Sequence, residues 1–398
     1  MPKEIIREEI AKKGVISFTR FMELALYCPE TGYYESERGK VGRGGDFITS
    51  VSTGNLFGQM LAFQFAEWLA VEASSQKSGV RIVETGAHDG KLAQDVLTWL
   101  QAHRPQLFAQ LEYVILEPSA RRQSWQQESL KEFSNVHWSA DLAGLKLKTQ
   151  NSKLNGVLFS NELLDAFPVR RFGWSAGDKK WFEWGVTVEN EQLAWTKMPQ
   201  SRSEDIIDKS SSSSPSPSPD EENSRTRTTM RTSMSHLPSS ILHLPSALLE
   251  VLPDGYIVET SPAGEAWWRT AAEMLAGGKL LAIDYGFSTD ELFSPSRLQG
   301  TLRAYHQHHV SSDLLANPGE QDLTAHVNFS ALQTAGETAG LVTENFCSQA
   351  KFLTQILAKT QAGKSFGEWN QARTRQFQTL THPEHFGRAF RVLVQARG

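Results

Sequence analysis

Short apolar segments alternate with longer amphipathic segments through most of the chain from residue 80 onward. The first apolar segments predict buried strands at 81–85, 113–116, 136–138 and 156–159. Later ones predict strands at 256–258, 279–283, 341–343 and 390–394. Between the early strands, segments such as 92–100 have the apolar spacing of amphipathic helices. This alternation is typical of an α/β fold with a mostly parallel sheet and crossover helices.

Residues 1–75 follow a different pattern and predict a helical cap. Apolar side chains recur at helical spacing from Ser17 to Leu26 and again between Phe57 and Leu69. The intervening residues 39–46 are rich in glycine, which disfavours regular structure and predicts a loop. A loop of this kind could close over a site as a lid.

Two insertions are predicted within the α/β region. Residues 167–190 predict a β-hairpin, because two strand-like segments flank a Ser-Ala-Gly-Asp turn. Residues 201–240 contain fourteen serines and predict a disordered insertion, since they bury too little apolar area to offset the entropy of ordering. This insertion is either a tolerated surface segment or a phosphorylated regulatory one. We therefore predict four divisions. They are a cap with a lid loop at 1–75, the first part of the core at 76–200, the insertion at 201–240 and the second part of the core at 241–398.

Charge and composition exclude several classes of protein. The net charge of −5 is too small to indicate binding to nucleic acid or to an anionic membrane surface. The two cysteines lie far apart, which is typical of a reducing compartment. Residues 1–13 lack the apolar region of a signal peptide, and no uncharged apolar segment approaches the ~20 residues of a transmembrane helix. We therefore expect a cytoplasmic protein without membrane insertion, whose oligomeric state the sequence does not indicate.

A glycine turn, Glu84-Thr85-Gly86-Ala87-His88-Asp89-Gly90, follows the first predicted strand. Open α/β sheets bind nucleotide-like cofactors at this turn. The dinucleotide pattern G-x-G-x-x-G fails here, because position 88 is histidine and position 91 is lysine. S-adenosylmethionine fits better, since Glu84 could hold its cationic amino group while Gly86, Ala87 and Gly90 let the backbone approach. A plain strand-to-helix turn is the alternative.

Acidic residues also follow the next two strands. Glu117 ends the second strand, where a carboxylate can accept both ribose hydroxyls of a nucleoside. The alternative is an acid that stabilises a helix N-terminus. Asp141 follows the third strand and either faces the adenine amino group or lies exposed in a loop. Two acids at the tips of consecutive strands favour cofactor binding over a structural turn.

Polar residues follow the fourth strand in the segment Ser160-Asn161-Glu162-Leu163-Leu164-Asp165. In a sheet of this kind that position faces the transferable methyl group of S-adenosylmethionine. We place Asn161 beside the cofactor and place Glu162 and Asp165 on the acceptor side. The alternative is that these side chains cap the next turn.

Several longer motifs resemble those of a known protein family. They lie at 25–27, 32–34, 45–50, 56–58, 161–169, 259–263, 283–286, 301–305 and 317–327. On these motifs the chain resembles the MidA family of S-adenosylmethionine-dependent methyltransferases, over nearly all of its length outside 201–240. The resemblance implies a class I methyltransferase fold, which is Rossmann-like, with a seven-stranded, mostly parallel sheet and an N-terminal helical cap.

The resemblance also implies a protein acceptor. Mitochondrial members of the family are associated with symmetric dimethylation of an arginine on a respiratory-complex subunit. The chain departs from the family at two places. His88 stands where the family usually has glycine, and Val51-Ser52-Thr53-Gly54 stands where it usually has a Pro-Glu pair. The first departure bears on cofactor binding and the second on the acceptor.

An arginine acceptor needs carboxylates, because its guanidinium stays protonated in proteins. Glu162 is the first candidate for the catalytic carboxylate and Asp165 the second. His326 is a candidate general base or a structural histidine, and Asp46 could close over the cofactor from the lid loop.

Two other functions remain open from the sequence. One is a small-molecule N- or O-methyltransferase, and the other is a non-catalytic assembly factor on a methyltransferase fold. A metal site is not expected, because the histidines at 306–309 lack accompanying ligands at metal-binding spacing.

Overall fold

The structure is a computed structural model of the chain. It describes residues 2–35, 49–73, 80–145, 153–199, 246–306 and 309–398, together with Leu237, Pro238, Ile241 and Leu244. The predicted lid loop and nearly all of the predicted disordered insertion lie outside the described residues.

Helices and strands alternate along the described chain. The helices are α1 Pro2–Lys13, α2 Phe18–Tyr27, α3 Leu56–Ala73, α4 Lys91–His103, α5 Pro105–Phe108, α6 Ala120–Ser129, α7 Ser246–Val251, α8 Pro262–Met274, α9 Thr289–Leu292, α10 Phe329–Thr338, α11 Gln349–Ala358 and α12 Gln371–Thr381. Short 3₁₀ helices occur at Tyr33–Glu35, Val51–Thr53, Leu164–Ala166 and Gln361–Phe366.

The strands belong to three sheets. They are β1 Ile16–Ser17, β2 Val80–Thr85, β3 Leu111–Leu116, β4 Val136–Ser139, β5 Leu154–Asn161, β6 Arg170–Ser175, β7 Lys180–Glu189, β8 Gln192–Lys197, β9 Ile257–Thr260, β10 Leu275–Phe287, β11 Arg303–His306, β12 His309–Ser311, β13 Asp322–Thr324, β14 Val327–Asn328, β15 Val342–Ser348 and β16 Phe390–Arg397. No helix among the described residues is long and apolar enough to cross a membrane.

The main sheet has the strand order β15-β16-β10-β5-β2-β3-β4, and the short β14 pairs with the end of β10. The strands from β10 to β4 are parallel, whereas β16 runs antiparallel to both β10 and β15. This order confirms the predicted seven-stranded, mostly parallel sheet. The order reverses direction between β2 and β5, and parallel sheets bind ligands at such a switch point, outside the carboxyl ends of the strands.

Helices cover both faces of the main sheet. On one face α3, α4, α11 and α12 pack over side chains such as Ile82 and Phe159. On the other face α8 and α10 pack over side chains such as Val83 and Leu158. Because both faces are buried, the central strands are continuous apolar segments rather than alternating ones. The predicted boundary between cap and core at residue 75 stays a prediction. Helix α3, which lies in the predicted cap, packs on this sheet.

The second sheet contains the predicted hairpin and one strand that we expected in the main sheet. The strands β6 and β7 pair as predicted, and β1, β8 and β9 extend them into five strands. The segment at 256–258 was predicted as a strand of the main sheet, but β9 pairs antiparallel with β6 instead. A short apolar segment predicts a buried strand without specifying its partner, and here the partner precedes the insertion.

The third sheet, β12-β11-β13, and helix α2 meet at the loop that follows β5. There the Ala325 N–H donates a hydrogen bond to the Asp165 carbonyl, and the Tyr27 hydroxyl donates one to the Ala166 carbonyl. Apolar side chains of α2, including Phe18 and Phe21, share one core with Leu302, Ala304 and Leu323 of this region. This packing fixes the N-terminal residues against the β11–β13 segment, so that together they form a wall above the sheet edge.

Candidate cofactor and acceptor site

A cavity of about 1040 Å³ opens at the carboxyl ends of β2, β3, β4 and β5. Its lining includes the predicted residues Glu84, Gly86, Ala87, Glu117, Asp141, Asn161, Glu162, Asp165 and His326. The sequence had placed these residues at strand ends, or in the 317–327 motif, and the parallel topology brings them to one edge. Gly90 does not line the cavity, and Asp46 lies outside the described residues.

The glycine turn after β2 is built from left-handed backbone conformations. Gly86 has φ +79° and Gly90 has φ +83°. A Cβ on Gly86 would lie 2.9 Å from Leu163 Cδ1, so a side chain here would have to displace the end of the Leu163 side chain in the loop after β5. Gly90 instead precedes α4 and faces Leu130 and Gln126 of the α6 region. Its contact with the cofactor stays a prediction, and in the structure its left-handed conformation precedes the first turn of α4.

His88 occupies the position where the resembling family usually has glycine, and the structure shows why glycine suits it. Its backbone has φ +46°, in the left-handed region where a non-glycine residue is strained. Its side chain lies beside Asp89, with Nδ1 3.7 Å from Asp89 Oδ1, and its ring centroid lies 6.4 Å from that of Trp125. The backbone carbonyl, which Gln126 Nε2 contacts at 3.0 Å, would be retained in any variant.

We expect the substitution His88→Gly to raise the free energy of unfolding by about 1 kcal/mol, because it relieves this backbone strain. Chemical denaturation followed by circular dichroism measures the change. The control is His88→Ala, which removes the imidazole but keeps the strain and should give no gain. Equal stabilisation by glycine and alanine would show that the side chain, and not the backbone, is the source of strain.

Glu84 lies at the end of β2 and is 2 % exposed. Tyr113 donates a hydrogen bond of 2.6 Å from its hydroxyl to Glu84 Oε2. Burial raises the pKa of the Glu84 carboxyl to about 7. No described cation lies within ion-pair distance of this carboxylate, so a cationic amino group bound beside it would favour its charged form.

Three residues that line the cavity each have a buried polar atom with no hydrogen-bond partner among the described residues. Two of these atoms, Asn161 Oδ1 and Thr85 Oγ1, can accept a hydrogen bond, and the third, Arg122 Nε, is a donor. An unsatisfied buried acceptor costs free energy unless a ligand or water completes it. A ligand with amino or hydroxyl donors, as S-adenosylmethionine has, therefore fits this part of the cavity.

Glu117 follows β3 directly and is 1 % exposed. Arg122 of α6 contacts Glu117 Oε1 at 3.0 Å, and the Ser119 N–H donates to the same oxygen at 3.0 Å. Gln126 donates to the other oxygen at 3.1 Å. Burial raises the pKa of the Glu117 carboxyl, and Arg122 opposes that rise. The carboxylate is thus held in place and still faces the cavity.

The two remaining predicted cofactor residues lie on the same rim. Ala87 is buried and lines the cavity. Asp141 is exposed and its Oδ1 accepts a hydrogen bond of 2.7 Å from the Gly144 N–H, so it caps its own turn while lining the cavity. Both predicted interpretations of Asp141, as a cavity residue and as a loop residue, are compatible with this geometry.

Glu162 occupies a strained turn directly after β5. Its φ is +52°, and its N–H donates to Ile283 O at 2.9 Å. Glu162 Oε1 accepts hydrogen bonds from the Ser50 N–H at 3.1 Å and from Asn161 Nδ2 at 3.2 Å. Burial raises the pKa of the Glu162 carboxyl to about 8, with a further contribution from the charge of Asp284.

Asp284 of β10 positions this loop. Its Oδ2 accepts hydrogen bonds from the N–H groups of Leu163 at 3.1 Å and Leu164 at 2.8 Å. Asp284 is fully buried and does not line the cavity, and burial raises its pKa to about 7. Its carboxylate therefore holds the backbone that carries Glu162 and Asp165.

Asp165 lies among acidic and aromatic side chains on one wall of the cavity, named the acceptor wall because the sequence predicts that Glu162 and Asp165 lie on the acceptor side. Burial raises the pKa of its carboxyl well above the usual value, and the charges of Asp284 and Asp322 act in the same direction. Asp322 accepts a hydrogen bond of 2.8 Å from the Tyr34 hydroxyl. Tyrosine side chains complete this wall, namely Tyr27, Tyr34, Tyr285 and Tyr305.

His326 lies on the same wall, but its environment is unfavourable for a general base. Burial lowers the pKa of its imidazole to about 4, and the nearby positive charge of Arg297 adds to this effect. The ring stacks on Phe287 with centroids 4.8 Å apart. A neutral imidazole with so low a pKa is a weak proton acceptor near pH 7, which favours a structural role for His326.

Sequence reasoning missed three of the residues that build the acceptor wall. They are Tyr34, Asp322 and Tyr285. Tyr285 follows Asp284 near the end of β10, so the rule applied to the other strand ends could have found it. Tyr34 and Asp322 come from remote segments, and no local pattern joins them.

Known proteins share this architecture. A family model for S-adenosyl-L-methionine-dependent methyltransferases matches residues 60–347. The chain belongs to this family. A solved COG1565 superfamily member from Burkholderia thailandensis, bound to S-adenosyl-homocysteine, is 31% identical with a TM-score of 0.74. That alignment covers 100% of this chain and 92% of the other. The protein is thus a methyltransferase that uses S-adenosylmethionine, with a class I fold.

Curated relatives extend the comparison to protein substrates. A protein from Drosophila melanogaster named "Protein arginine methyltransferase NDUFAF7 homolog, mitochondrial" is 26% identical, over 99% of this chain and 84% of its own length. The Homo sapiens protein arginine methyltransferase NDUFAF7, mitochondrial, is 25% identical, over 96% and 80%. The predicted cytoplasmic location is wrong on this comparison, because both relatives are named as mitochondrial.

Proposed function

We propose that this methyltransferase transfers the methyl group to arginine side chains of a protein. The observation that carries the proposal is the group of carboxylates Glu162, Asp165 and Asp322 on the tyrosine-rich wall of the cavity. Guanidinium groups pair with carboxylates and stack on aromatic rings. The relatives named as protein arginine methyltransferases support the same acceptor class.

On this proposal each half of the cavity has a separate task. Glu84, Glu117 and Asn161 hold the cofactor. Gly86 and Ala87 allow the protein backbone to lie close to it. When bound, S-adenosylmethionine would supply a methyl group on a sulfonium, which an attacking nitrogen can take in line as the neutral thioether leaves. The tyrosine-rich wall excludes water and orients the acceptor.

The carboxylates make the guanidinium nucleophilic. Asp165 and Asp322 pair with the cation and hold its positive charge on the nitrogens that face them, which leaves the third nitrogen richer in electrons. That nitrogen gains the methyl group and loses one proton, and the Glu162 carboxylate accepts this proton. The pKa of Glu162, about 8, suits proton transfer near neutral pH.

Methylation assays on purified protein test the proposal. We expect transfer to arginine-containing peptides, identified by mass spectrometry of the modified side chain, and no transfer to a panel of small amines and alcohols. Transfer to a small molecule alone would favour a small-molecule methyltransferase. Cofactor binding with no transfer to any acceptor would favour an assembly factor.

The rate should depend on pH through these carboxylates. Because burial raises the pKa of Glu162 to about 8, its carboxyl is mostly protonated at pH 6 and ionised above pH 8. We expect kcat/KM for an arginine peptide to rise across this interval, since only the ionised form accepts a proton. Initial rates in buffers of constant ionic strength measure the profile. A flat profile would contradict the assignment of Glu162 as proton acceptor.

Removing Arg122 should weaken cofactor binding. The substitution Arg122→Gln leaves Glu117 buried without its ion pair, so the pKa of Glu117 rises further and its capacity to accept hydroxyl hydrogen bonds falls. We expect a loss of about tenfold in affinity for S-adenosylmethionine, greater at pH 6 than at pH 8. Calorimetry at both values measures it.

The neighbouring Arg121 provides the matched control for this variant. Arg121 donates to the backbone carbonyl of Glu35, away from the Glu117 carboxylate. Arg121→Gln should therefore leave the affinity unchanged. Equal losses in the two variants would contradict a specific role for Arg122.

A further inference from the structure

Arg303 lies on the acceptor wall of the cavity, although its charge is opposite to that of the carboxylates there. It begins β11, and the register pairs Arg303 with Thr324 and Tyr305 with Asp322. All four residues line the cavity. Since a strand rises about 3.3 Å per residue, Arg303 is displaced by about 7 Å along the sheet from the position of Asp322.

The guanidinium of Arg303 has no carboxylate within ion-pair distance in the described part of the chain. It donates a local hydrogen bond from one terminal nitrogen to the Leu302 carbonyl at 2.8 Å. Two other arginines of this region have partners of their own. Arg171 approaches Glu259 at 3.7 Å, and Arg297 lies over the Phe287 ring at 4.2 Å.

A cation on this wall does not serve an arginine acceptor directly, because two guanidinium groups repel each other. Arg303 is only partly exposed, so its charge is partly desolvated. The neighbouring His326 is neutral near pH 7, because burial lowers its pKa to about 4, and it offers no compensating negative charge. The position therefore favours an anionic group brought by the ligand.

We propose that Arg303 binds the carboxylate of an acidic residue two positions from the acceptor arginine, so that the enzyme selects arginines with an acidic residue at that spacing. The proposal rests on the proposed protein-arginine function and specifies its substrate class. The displacement of about 7 Å between Arg303 and the Asp322 position matches residues two apart in an extended peptide. An Arg–carboxylate pair is often bidentate, which gives orientation as well as affinity.

The test compares peptides that differ in one position near a single arginine. One peptide carries aspartate two positions from the arginine, a second carries asparagine there, and a third carries lysine. For the natural enzyme we expect kcat/KM to be at least about tenfold higher for the aspartate peptide than for the asparagine peptide. Arg303→Gln should remove this preference, so that the aspartate and asparagine peptides are methylated with nearly equal kcat/KM. Arg303→Glu should prefer the lysine peptide.

Two measurements show whether Arg303 itself binds the acidic residue of the substrate. Arg297→Gln is the matched control, since Arg297 does not line the cavity, and it should keep the preference for aspartate. Calorimetry with S-adenosylmethionine should give equal affinities for the natural enzyme and Arg303→Gln. Weaker cofactor binding in Arg303→Gln would assign Arg303 to the cofactor and overturn the proposal.

The outcomes also distinguish this inference from the proposed function. Methylation of all three peptides at equal rates would leave the protein-arginine function standing and overturn the role of Arg303. Methylation of free arginine in preference to every peptide would assign Arg303 to an α-carboxylate and overturn both. If no peptide is methylated and none binds, the role of Arg303 and the protein-arginine function are both overturned.

Discussion

The substitution Glu162→Gln is expected to lower turnover with an arginine peptide by about 10²-fold or more, the usual effect of losing a positioned acid–base group. Glutamine keeps the size of the side chain and an oxygen that can accept the hydrogen bonds from Ser50 and Asn161. It removes the negative charge and the proton-accepting oxygen. Steady-state rates with saturating cofactor measure the change.

A matched control separates the chemistry of Glu162 from the general effect of neutralising a buried acid. Glu265 of α8 is also a carboxyl whose pKa is raised by burial, but it does not line the cavity. Glu265→Gln should leave turnover unchanged. Affinity for S-adenosylmethionine should be unchanged in both variants, because Glu162 is assigned to the acceptor. Unaltered turnover in Glu162→Gln would exclude it as the proton acceptor.

The same variant should change how stability depends on pH. The Glu162 carboxyl has a pKa of about 8 in the folded chain and an ordinary value near 4.5 when unfolded. Between these values the folded state binds the additional proton, so the free energy of unfolding falls as pH rises from about 4.5 to about 8. Glutamine cannot titrate. The variant should therefore lose less stability over this interval than the natural chain.

Much of the cavity lining at the strand ends could be predicted from local sequence. Glu84, Glu117 and Asn161 each lie at the end of an apolar strand, and parallel strands bring their carboxyl ends to one edge. That rule needs only the order of strands and helices. It also placed Glu162 in the cavity, although the sequence could not show that this residue has φ +52° or that Ser50 contacts its carboxylate.

The acceptor wall depends on contacts between remote segments. Tyr34 and Asp322 are 288 residues apart in the chain and meet only because α2 packs against the β11–β13 sheet. The strand β9 was assigned to the wrong sheet for a related reason, since its partner β6 lies before a long insertion. Periodicity reports which face of an element is buried and not which element covers it.

Replacing Gly86 by valine is expected to weaken binding of S-adenosylmethionine by about two orders of magnitude, or ~2.7 kcal/mol. The new Cβ would lie 2.9 Å from Leu163 Cδ1, and both residues line the cavity. The added methyl groups would therefore fill the part of the cavity between the turn after β2 and the loop after β5. The substitution also forces a β-branched residue into φ +79°, which costs about 1–3 kcal/mol of stability. A loss of binding therefore has to be separated from a loss of fold.

Gly255 allows that separation, because it has nearly the same backbone conformation, φ +73°, with no atom within 4 Å of a Cβ. It does not line the cavity, so Gly255→Val should lose comparable stability in thermal unfolding and keep its affinity in calorimetry. The double variant Gly86→Val with Leu163→Ala removes the clash and should recover part of the affinity while keeping the backbone strain. If Gly255→Val binds as weakly as Gly86→Val, or if the double variant recovers nothing, steric exclusion at the glycine turn is not the cause.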